Sequence, residues 1–250
     1  MTEESAWIGG QFTSQAVPPD EHGWIERFGC TARYRRFRDG VRSYYRAHYP
    51  LRPEHRDDPW LNPGNGWVSP LCHEPRVALA VLHSLLAPHV SAGRLQILTG
   101  HEPVALEPAS ATLFHALIVC DCSTGRHRRL TARYFLDATE NGDLLPLGGV
   151  EHVTGSESRA QTGEPSAGQQ VRPRNVQALS VCFILEEGPD HQLLTPPTNY
   201  ARWREFLPSL TPPWPGPLLG WEGLNPRTMA PMRYRFDPHH EQPGLFSGLW

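Results

Sequence analysis

Apolar residues recur at helical spacing in an arginine-rich segment near the beginning of the chain. Residues 32–49 place an aromatic or aliphatic side chain every three or four positions, which predicts an amphipathic helix. The apolar positions are Tyr34, Phe37, Val41, Tyr44 or Tyr45, and His48. Arginines occupy the remaining faces and predict a solvated basic side, with a phosphate or anionic-substrate site as the alternative.

The pattern predicts two further helices. Residues 75–89 carry an apolar stripe that starts at Pro75, and Pro88 is expected to end the helix because proline has no N–H. Residues 200–207 predict a shorter helix in a part of the chain rich in proline and tryptophan. Residues 51–71 contain many proline and glycine residues and predict a loop.

Short apolar runs predict the strands. Residues 93–98 predict one strand, and residues 111–122 and 128–139 predict a β-hairpin that turns at Gly125. The polar run 155–175 predicts a loop, and residues 176–187 predict another strand.

The amino-acid composition excludes several classes of function. The chain has 250 residues and a net charge of −3, which gives no support for nucleic-acid binding. All 23 basic residues are arginine, which excludes a lysine Schiff base and a P-loop lysine. Five cysteines do not suggest a disulfide framework and favour a reducing, cytoplasmic location. We expect no membrane span and no signal peptide, because no apolar run is long enough.

A glycine pair, Gly9-Gly10, follows two acidic residues, Glu3 and Glu4. Adjacent glycines allow a sharp turn or a close approach of the backbone to a ligand, and both interpretations stay open. An acidic residue that ends a strand accepts ribose hydroxyls in nucleotide-binding folds. The later segment DATENGD, residues 137–143, also ends a predicted strand, where α/β folds place ligands.

Four segments together resemble a family of FAD-dependent oxidoreductases with the glutathione-reductase-like FAD-binding fold. These segments are EESAWIGGQFTSQAVPPDEH, LNPGNGWVSPLCHEPRVALAVL, YFLDATENGDLLPLGGVE and QTGEP. The resemblance implies an α/β fold, FAD as cofactor and a small organic molecule as hydride donor. It implies that Glu3 binds the ribose, with Glu4 as second choice.

The resemblance also implies the other cofactor contacts. The backbone at Gly9 and Gly10 would lie near FAD, followed by Gln11. Val104 would meet the adenine through its backbone. Ala138 and Thr139 would close over the nucleotide, although Glu140 stands where glycine is usual in the superfamily.

The family begins with a strand and a GxGxxG turn that this chain lacks. We therefore expect a member truncated at both ends, without its first β-α unit, whose own affinity for FAD is weak or absent. The expected domains are residues 1–154, a partial FAD-binding domain with a β-meander, and residues 155–250, a mixed-β substrate or cap region.

Cys72 and His73 are the candidate catalytic residues. They precede a predicted helix, whose N-terminus is expected to lower the pKa of the thiol, and His73 could serve as a general base. A buried, unreactive cysteine is the alternative. Cys120 and Cys122 share a strand face but lack two further ligands in sequence, so we expect no metal.

Two other functions remain open. Tryptophan-rich loops and several carboxylates are compatible with a carbohydrate-binding or hydrolytic protein, and the fragment could be inactive. The sequence does not indicate the substrate, the electron acceptor or the oligomeric state.

Overall fold

The computed structural model describes residues 1–66, 68–110, 112–177, 179, 181–182, 195–211, 213–225 and 228–233. In chain order the elements are β1 Thr2–Glu3, a 3₁₀ turn Gly10–Phe12, α1 Ala32–His48, α2 Pro53–Arg56, α3 Pro75–Ser91, β2 Leu98–Thr99, β3 His101–Ser110, β4 Leu113–Asp121, β5 His127–Leu130, α4 Leu144–Leu147, α5 Arg159–Thr162, α6 Tyr200–Arg204, β6 Glu222–Leu224 and β7 Pro231–Arg233.

The chain forms two compact units, and each combines two separate stretches. The first unit contains Met1–Val17 and Leu82–Phe183, and the second contains Pro18–Val81 and Ile184–Trp250. The boundary expected between residues 154 and 155 therefore falls inside the first unit. The functions assigned to the two halves of the chain stay predictions.

The first unit has a parallel strand pair and an antiparallel meander. Glu3 of β1 lies opposite Thr99 of β2, and the two strands run parallel. Strands β3, β4 and β5 follow in that order, with consecutive neighbours antiparallel. Gly125 turns the β4–β5 hairpin with a positive φ of 68°, as its position in the sequence predicts.

Strand β3 was not predicted, because two prolines interrupt its sequence. Pro103 and Pro108 both lie at register shifts against β4, where the ladder is irregular. Proline is tolerated at a sheet edge or a bulge, and β3 is an edge strand among the described strands. Only Leu98 of the strand predicted at 93–98 lies in β2.

The second half of the predicted hairpin is shorter than expected. Strand β5 ends at Leu130, and residues 131–139 are in no strand. Tyr134 and Leu136 are 71% and 85% exposed, whereas Phe135 packs against the core. The apolar run was therefore wrongly assigned to a strand, because apolar character alone does not supply a pairing partner.

Aliphatic side chains form the core of the first unit. It consists of Leu106, Leu117, Val119 and Leu144, with Phe114, Leu130 and Phe135 packed against it. The helix that contributes Leu144 lies against β3. Antiparallel sheets commonly pack one face against a core in this way and expose the other face to solvent.

Helix α1 provides much of the buried surface of the second unit. Thr31 caps it by accepting a hydrogen bond from the Tyr34 backbone N–H at 3.2 Å. Its buried face contains Phe37, Val41 and Tyr45, as predicted, together with two arginines. A Cβ at Gly40 would lie 2.8 Å from Cγ1 of Val81, so α1 approaches α3 closely there.

The remaining predictions have mixed outcomes. Helix α3 continues past Pro88 to Ser91, so the predicted stop at Pro88 is wrong. The loss of one N–H near a helix end does not prevent a last turn. The helix predicted at 200–207 is confirmed but ends at Arg204, and most of the strand predicted at 176–187 lies outside the described residues. Within the described helices, none is long and apolar enough to cross a membrane.

Candidate functional site

Glu3 is the last residue of a parallel strand, where α/β folds bind ligands. Its Oε1 accepts hydrogen bonds from the backbone N–H of Ser5 at 2.9 Å and from the Ser5 hydroxyl at 2.7 Å. These bonds hold the carboxylate in one orientation. Since a carboxylate offers roughly four lone-pair positions, it retains the capacity to accept ribose hydroxyls.

The glycine pair forms a tight turn within the first unit. Gly9 and Gly10 have φ values of 113° and 49°, and residues with a side chain rarely adopt such values. A Cβ at Gly9 would lie 2.6 Å from Cδ1 of Leu82, and a Cβ at Gly10 would lie 2.6 Å from Oε1 of Glu140. The turn interpretation is therefore confirmed, and the predicted contact with a cofactor stays a prediction.

The segment that contains Ala138 and Thr139 is organised by one carboxylate. Asp137 accepts hydrogen bonds from the backbone N–H and hydroxyl of Thr139, at 3.0 and 2.7 Å, and from the Leu144 backbone N–H at 3.1 Å. Burial raises the pKa of Asp137, but these bonds outweigh it and lower the pKa overall. Ala138 is exposed, which leaves its backbone open to a ligand.

All seven predicted cofactor residues lie in the first unit: Glu3, Gly9, Gly10, Gln11, Val104, Ala138 and Thr139. Gly10 approaches Glu140, the residue after Thr139, and β1 lies against β3. Val104 is the extra residue at the first register shift of β3, between Pro103 and Ala105. Because a bulge leaves a residue out of the ladder, the backbone of Val104 suits contact with a ligand.

The predicted reactive thiol lies in the second unit, and its environment is not activating. Cys72 is 1% exposed, and its Sγ lies 3.4 Å from the Ser69 carbonyl oxygen, to which the thiol donates. Burial raises the pKa of Cys72, so the lowering expected from the helix N-terminus is wrong. A Cβ at Gly66 would lie 2.5 Å from this sulfur, which shows how tightly the thiol is enclosed.

His73 is also buried, with 3% of its surface exposed. Its Nδ1 lies 2.9 Å from the Leu71 carbonyl oxygen. Burial lowers the pKa of His73, while the charge of Glu21 acts in the opposite direction. The ring is therefore neutral at pH 7 and can act as a base.

A buried charge cluster surrounds this part of α1, and the predicted solvated basic face is partly wrong. Arg38 and Arg42 are 0% and 3% exposed. Arg38 pairs with Glu21 and Glu26, and Arg42 Nη2 lies 2.5 Å from Oε1 of Glu26. The sequence contained one indication of this cluster: Arg38 and Arg42 are four positions apart, so they lie on the same side of the helix, next to the apolar stripe.

The pKa of Glu26 reflects these pairs. Burial raises the pKa of Glu26, but the hydrogen bond from Arg42 and the charges of Arg42, Arg38 and Arg35 lower it overall. The cluster is thus a set of charged groups stabilised by one another. These arginines are already paired with carboxylates, which does not favour the alternative of an anion site on this helix.

An open cavity of about 480 Å³ lies in the second unit. It is lined by Pro197, Thr198, Asn199, Tyr200, Trp203 and Leu219. Tyr200 and Trp203 are both 42% exposed, so part of each ring is open for stacking, and Trp203 also contacts Phe206 and the Arg202 guanidinium.

Within the described parts of the chain, no three His, Cys, Asp or Glu side chains are grouped to hold a metal ion. Cys120 lies in β4 and Cys122 directly follows the end of that strand, and both are free thiols.

An acid that ends a parallel strand, beside a glycine turn and an Asp-Ala-Thr turn, defines a candidate dinucleotide-binding site in an α/β protein. A sequence profile described as FAD dependent oxidoreductase matches residues 1–235. The chain therefore belongs to this family of flavoprotein oxidoreductases, whose cofactor is FAD. No curated protein and no solved structure gives a significant match to it.

Proposed function

We propose that this protein takes a hydride from a small organic molecule through FAD, in a glutathione-reductase-like arrangement. The observation that carries the proposal is Glu3 at the carboxyl end of a parallel strand, in a chain whose family uses FAD. A parallel pair followed by the β3–β5 meander supports this arrangement. When bound, FAD supplies the hydride-accepting chemistry.

The residues of the first unit would bind the adenosine part of the cofactor. Glu3 would accept the ribose hydroxyls, and Val104 would meet the adenine through its backbone. Gly9, Gly10 and Gln11 would present backbone close to the cofactor, while Ala138 and Thr139 would cover it. The donor set fits the group, because it combines an oriented carboxylate, a bulge and two turns.

His73 and Cys72 of the second unit are the residues predicted to transfer protons. His73 suits proton exchange better than Cys72 does, since its ring is neutral and the Cys72 thiol is held protonated. Both catalytic roles remain predictions. A cytoplasmic location and a small-molecule substrate are part of the same proposal.

Flavin fluorescence during FAD titration of the 250-residue chain tests the ribose contact. We expect weak but saturable binding, and we expect Glu3→Gln to raise the Kd about tenfold because a charge-assisted bond is lost. Glu4→Gln is the matched control, since Glu4 is exposed and adjacent. Equal effects of the two substitutions would contradict the role of Glu3, and no binding by the wild-type chain would leave the proposed contacts unsupported.

A second candidate, a carbohydrate-binding site, is favoured by the aromatic cavity around Tyr200 and Trp203. Sugar rings stack on exposed aromatic faces. Titration with neutral monosaccharides should then change tryptophan fluorescence, and Trp203→Ala should abolish the change. Trp24→Ala is the control, because Trp24 is 63% exposed and does not line the cavity. A flat titration of the wild-type chain would exclude this candidate.

A further inference from the structure

Among the described residues of the second unit, four buried side-chain atoms lack hydrogen-bond partners, and three of these atoms belong to Glu21, Arg38 and His73. In the part of the chain that the structure describes, Oε2 of Glu21, Nε of Arg38 and Nε2 of His73 are buried and unpaired. The side chains of Glu21 and Arg38 are 1% and 0% exposed, and His73 is 3% exposed. Folded proteins rarely leave such atoms unsatisfied, so three of them in one place need an explanation.

These three residues belong to one cluster. Glu21 pairs directly with Arg38. Phe37, which precedes Arg38 on α1, makes an edge contact with the His73 ring at 6.0 Å between centroids. The charges of Glu21 and Arg38 also act on the pKa of His73, in opposite directions, which agrees with their place in the same cluster.

The bonds already formed determine which roles remain open. Nδ1 of His73 faces the Leu71 carbonyl oxygen at 2.9 Å, so Nδ1 carries the proton and Nε2 carries a lone pair. Oε1 of Glu21 accepts from Arg38 and from the Tyr34 hydroxyl, which leaves Oε2 as an acceptor. Nε of Arg38 can only donate. The cluster therefore lacks two donors and one acceptor.

We propose that one internal water molecule binds between Glu21, Arg38 and His73 in the second unit. A water donates two hydrogen bonds and accepts at least one, which matches the three open roles. Its two O–H groups would go to Oε2 of Glu21 and Nε2 of His73, and its oxygen would accept from Nε of Arg38. An ammonium group would also supply donors, but it has no lone pair with which to accept the hydrogen bond from Nε of Arg38.

The water links His73 to Tyr34 of α1 through a chain of hydrogen bonds. The chain runs from Nε2 of His73 through the water and Glu21 to the hydroxyl of Tyr34, which is half-buried. His73 is almost fully enclosed, so it would otherwise have no contact with solvent through Nε2. The water therefore acts as a positioning group for the Nε2 lone pair.

A crystal structure of the wild-type chain, combined with ¹⁵N NMR of labelled histidines, tests the proposal. We expect a water within hydrogen-bond distance of all three atoms, and a His73 signal typical of the Nδ1–H tautomer with Nε2 accepting a bond. A cross-relaxation signal between a long-lived water and the His73 ring should accompany it. Direct pairing of the three atoms, an empty site or the Nε2–H tautomer would overturn it.

Two substitutions of the same histidine separate the water site from a purely structural role. His73→Gln keeps an amide group near the position of Nε2, and His73→Asn keeps only a donor near Nδ1 for Leu71. We expect the water to remain in the glutamine variant and to be lost in the asparagine variant. The reverse pattern would also overturn the proposal, and the wild-type measurements decide the question if either variant fails to fold.

Discussion

The two units stabilise their interiors by different means. The first unit buries the aliphatic core of β3, β4 and α4, and its Arg129–Glu107 ion pair lies at the surface with side chains 45% and 41% exposed. The second unit encloses Arg38 and Arg42 with their carboxylate partners. The stabilisation from buried apolar surface depends on the area buried and not on particular partners. Buried charges, in contrast, are stable only when each is paired.

This difference predicts how each unit responds to damage. Loss of one aliphatic group leaves a cavity whose cost the neighbours partly relieve by relaxing. Loss of one charge partner leaves the other charge enclosed and unpaired. Since unfolding of a two-unit chain need not be two-state, the effects are best followed by hydrogen exchange in peptides of each unit.

The largest expected effect comes from Arg38→Met in the second unit. It should cost about 3–5 kcal/mol, because Glu21 and Glu26 lose their shared buried partner. Hydrogen exchange should accelerate in peptides of α1. Arg129→Met is the control, since its exposed pair should contribute little to stability. Equal responses of the two variants would remove the contrast between the units.

Leu117→Ala tests the apolar core of the first unit. It should cost about 3 kcal/mol, because the side chain is only 8% exposed and the substitution leaves a cavity in the core. Chemical denaturation and exchange in β4 peptides measure it. Leu113→Ala on the same strand, where the side chain is 63% exposed, should change stability by less than about 0.5 kcal/mol. A large effect at Leu113 would show that this face of β4 is covered.

Gly9→Ala tests how far the candidate site depends on bare backbone. It should cost about 2 kcal/mol, since φ is 113° and the new Cβ would meet Leu82 and the buried Thr13. Gly125→Ala should cost about 1 kcal/mol, because that glycine also has a positive φ but open space around it. Denaturation midpoints compare the two variants. A smaller loss at Gly9 than at Gly125 would contradict the packed turn.

Acidification should produce the smallest difference between the units. The folded-state pKa of His73 is lowered, so below its ordinary value of 6.5 the unfolded chain binds the proton more readily. The contribution of neutral His73 to the stability of the second unit is therefore present above pH 6.5 and is lost as the pH falls below that value. The lowered pKa of Glu26 adds a further loss below about pH 4.5.

The His73 contribution can be isolated by substitution. His73→Asn should flatten the pH dependence of exchange in the second unit just below pH 6.5, where the unfolded chain takes up the His73 proton and Glu26 does not yet contribute. His55→Asn, at an exposed histidine, should leave that dependence unchanged. An unaltered profile in His73→Asn would assign the dependence to other groups.

Local patterns predicted much of the secondary structure. The periodicity of Phe37, Val41 and Tyr45 was sufficient for α1, and Gly125 between two apolar runs was sufficient for the β4–β5 turn. Strand β3 and the end of β5 could not be predicted, because prolines are acceptable at an edge and apolar runs do not specify partners. The existence of β3 and the end of β5 depend on which strands pair in the folded protein.

In the candidate site, too, some features could be predicted from the sequence and others depend on tertiary contacts. Four sequence motifs were enough to indicate the family and FAD. The burial of Arg38, the enclosure of the Cys72 thiol and the approach of Gly10 to Glu140 were not visible in them. Each of these features joins residues far apart in the chain, and pKa values follow from that surrounding rather than from neighbours in sequence.

The sequence by itself determined the helices with a strong apolar stripe, the hairpin turn and the exclusion of lysine chemistry. These follow from local backbone preference and from which side chains are present. Only the tertiary structure decided which arginines are buried, which way the pKa of Cys72 shifts and what fills the space beside the glycine pair. Burial and charge pairing are properties of groups brought together by folding, so no local pattern contains them.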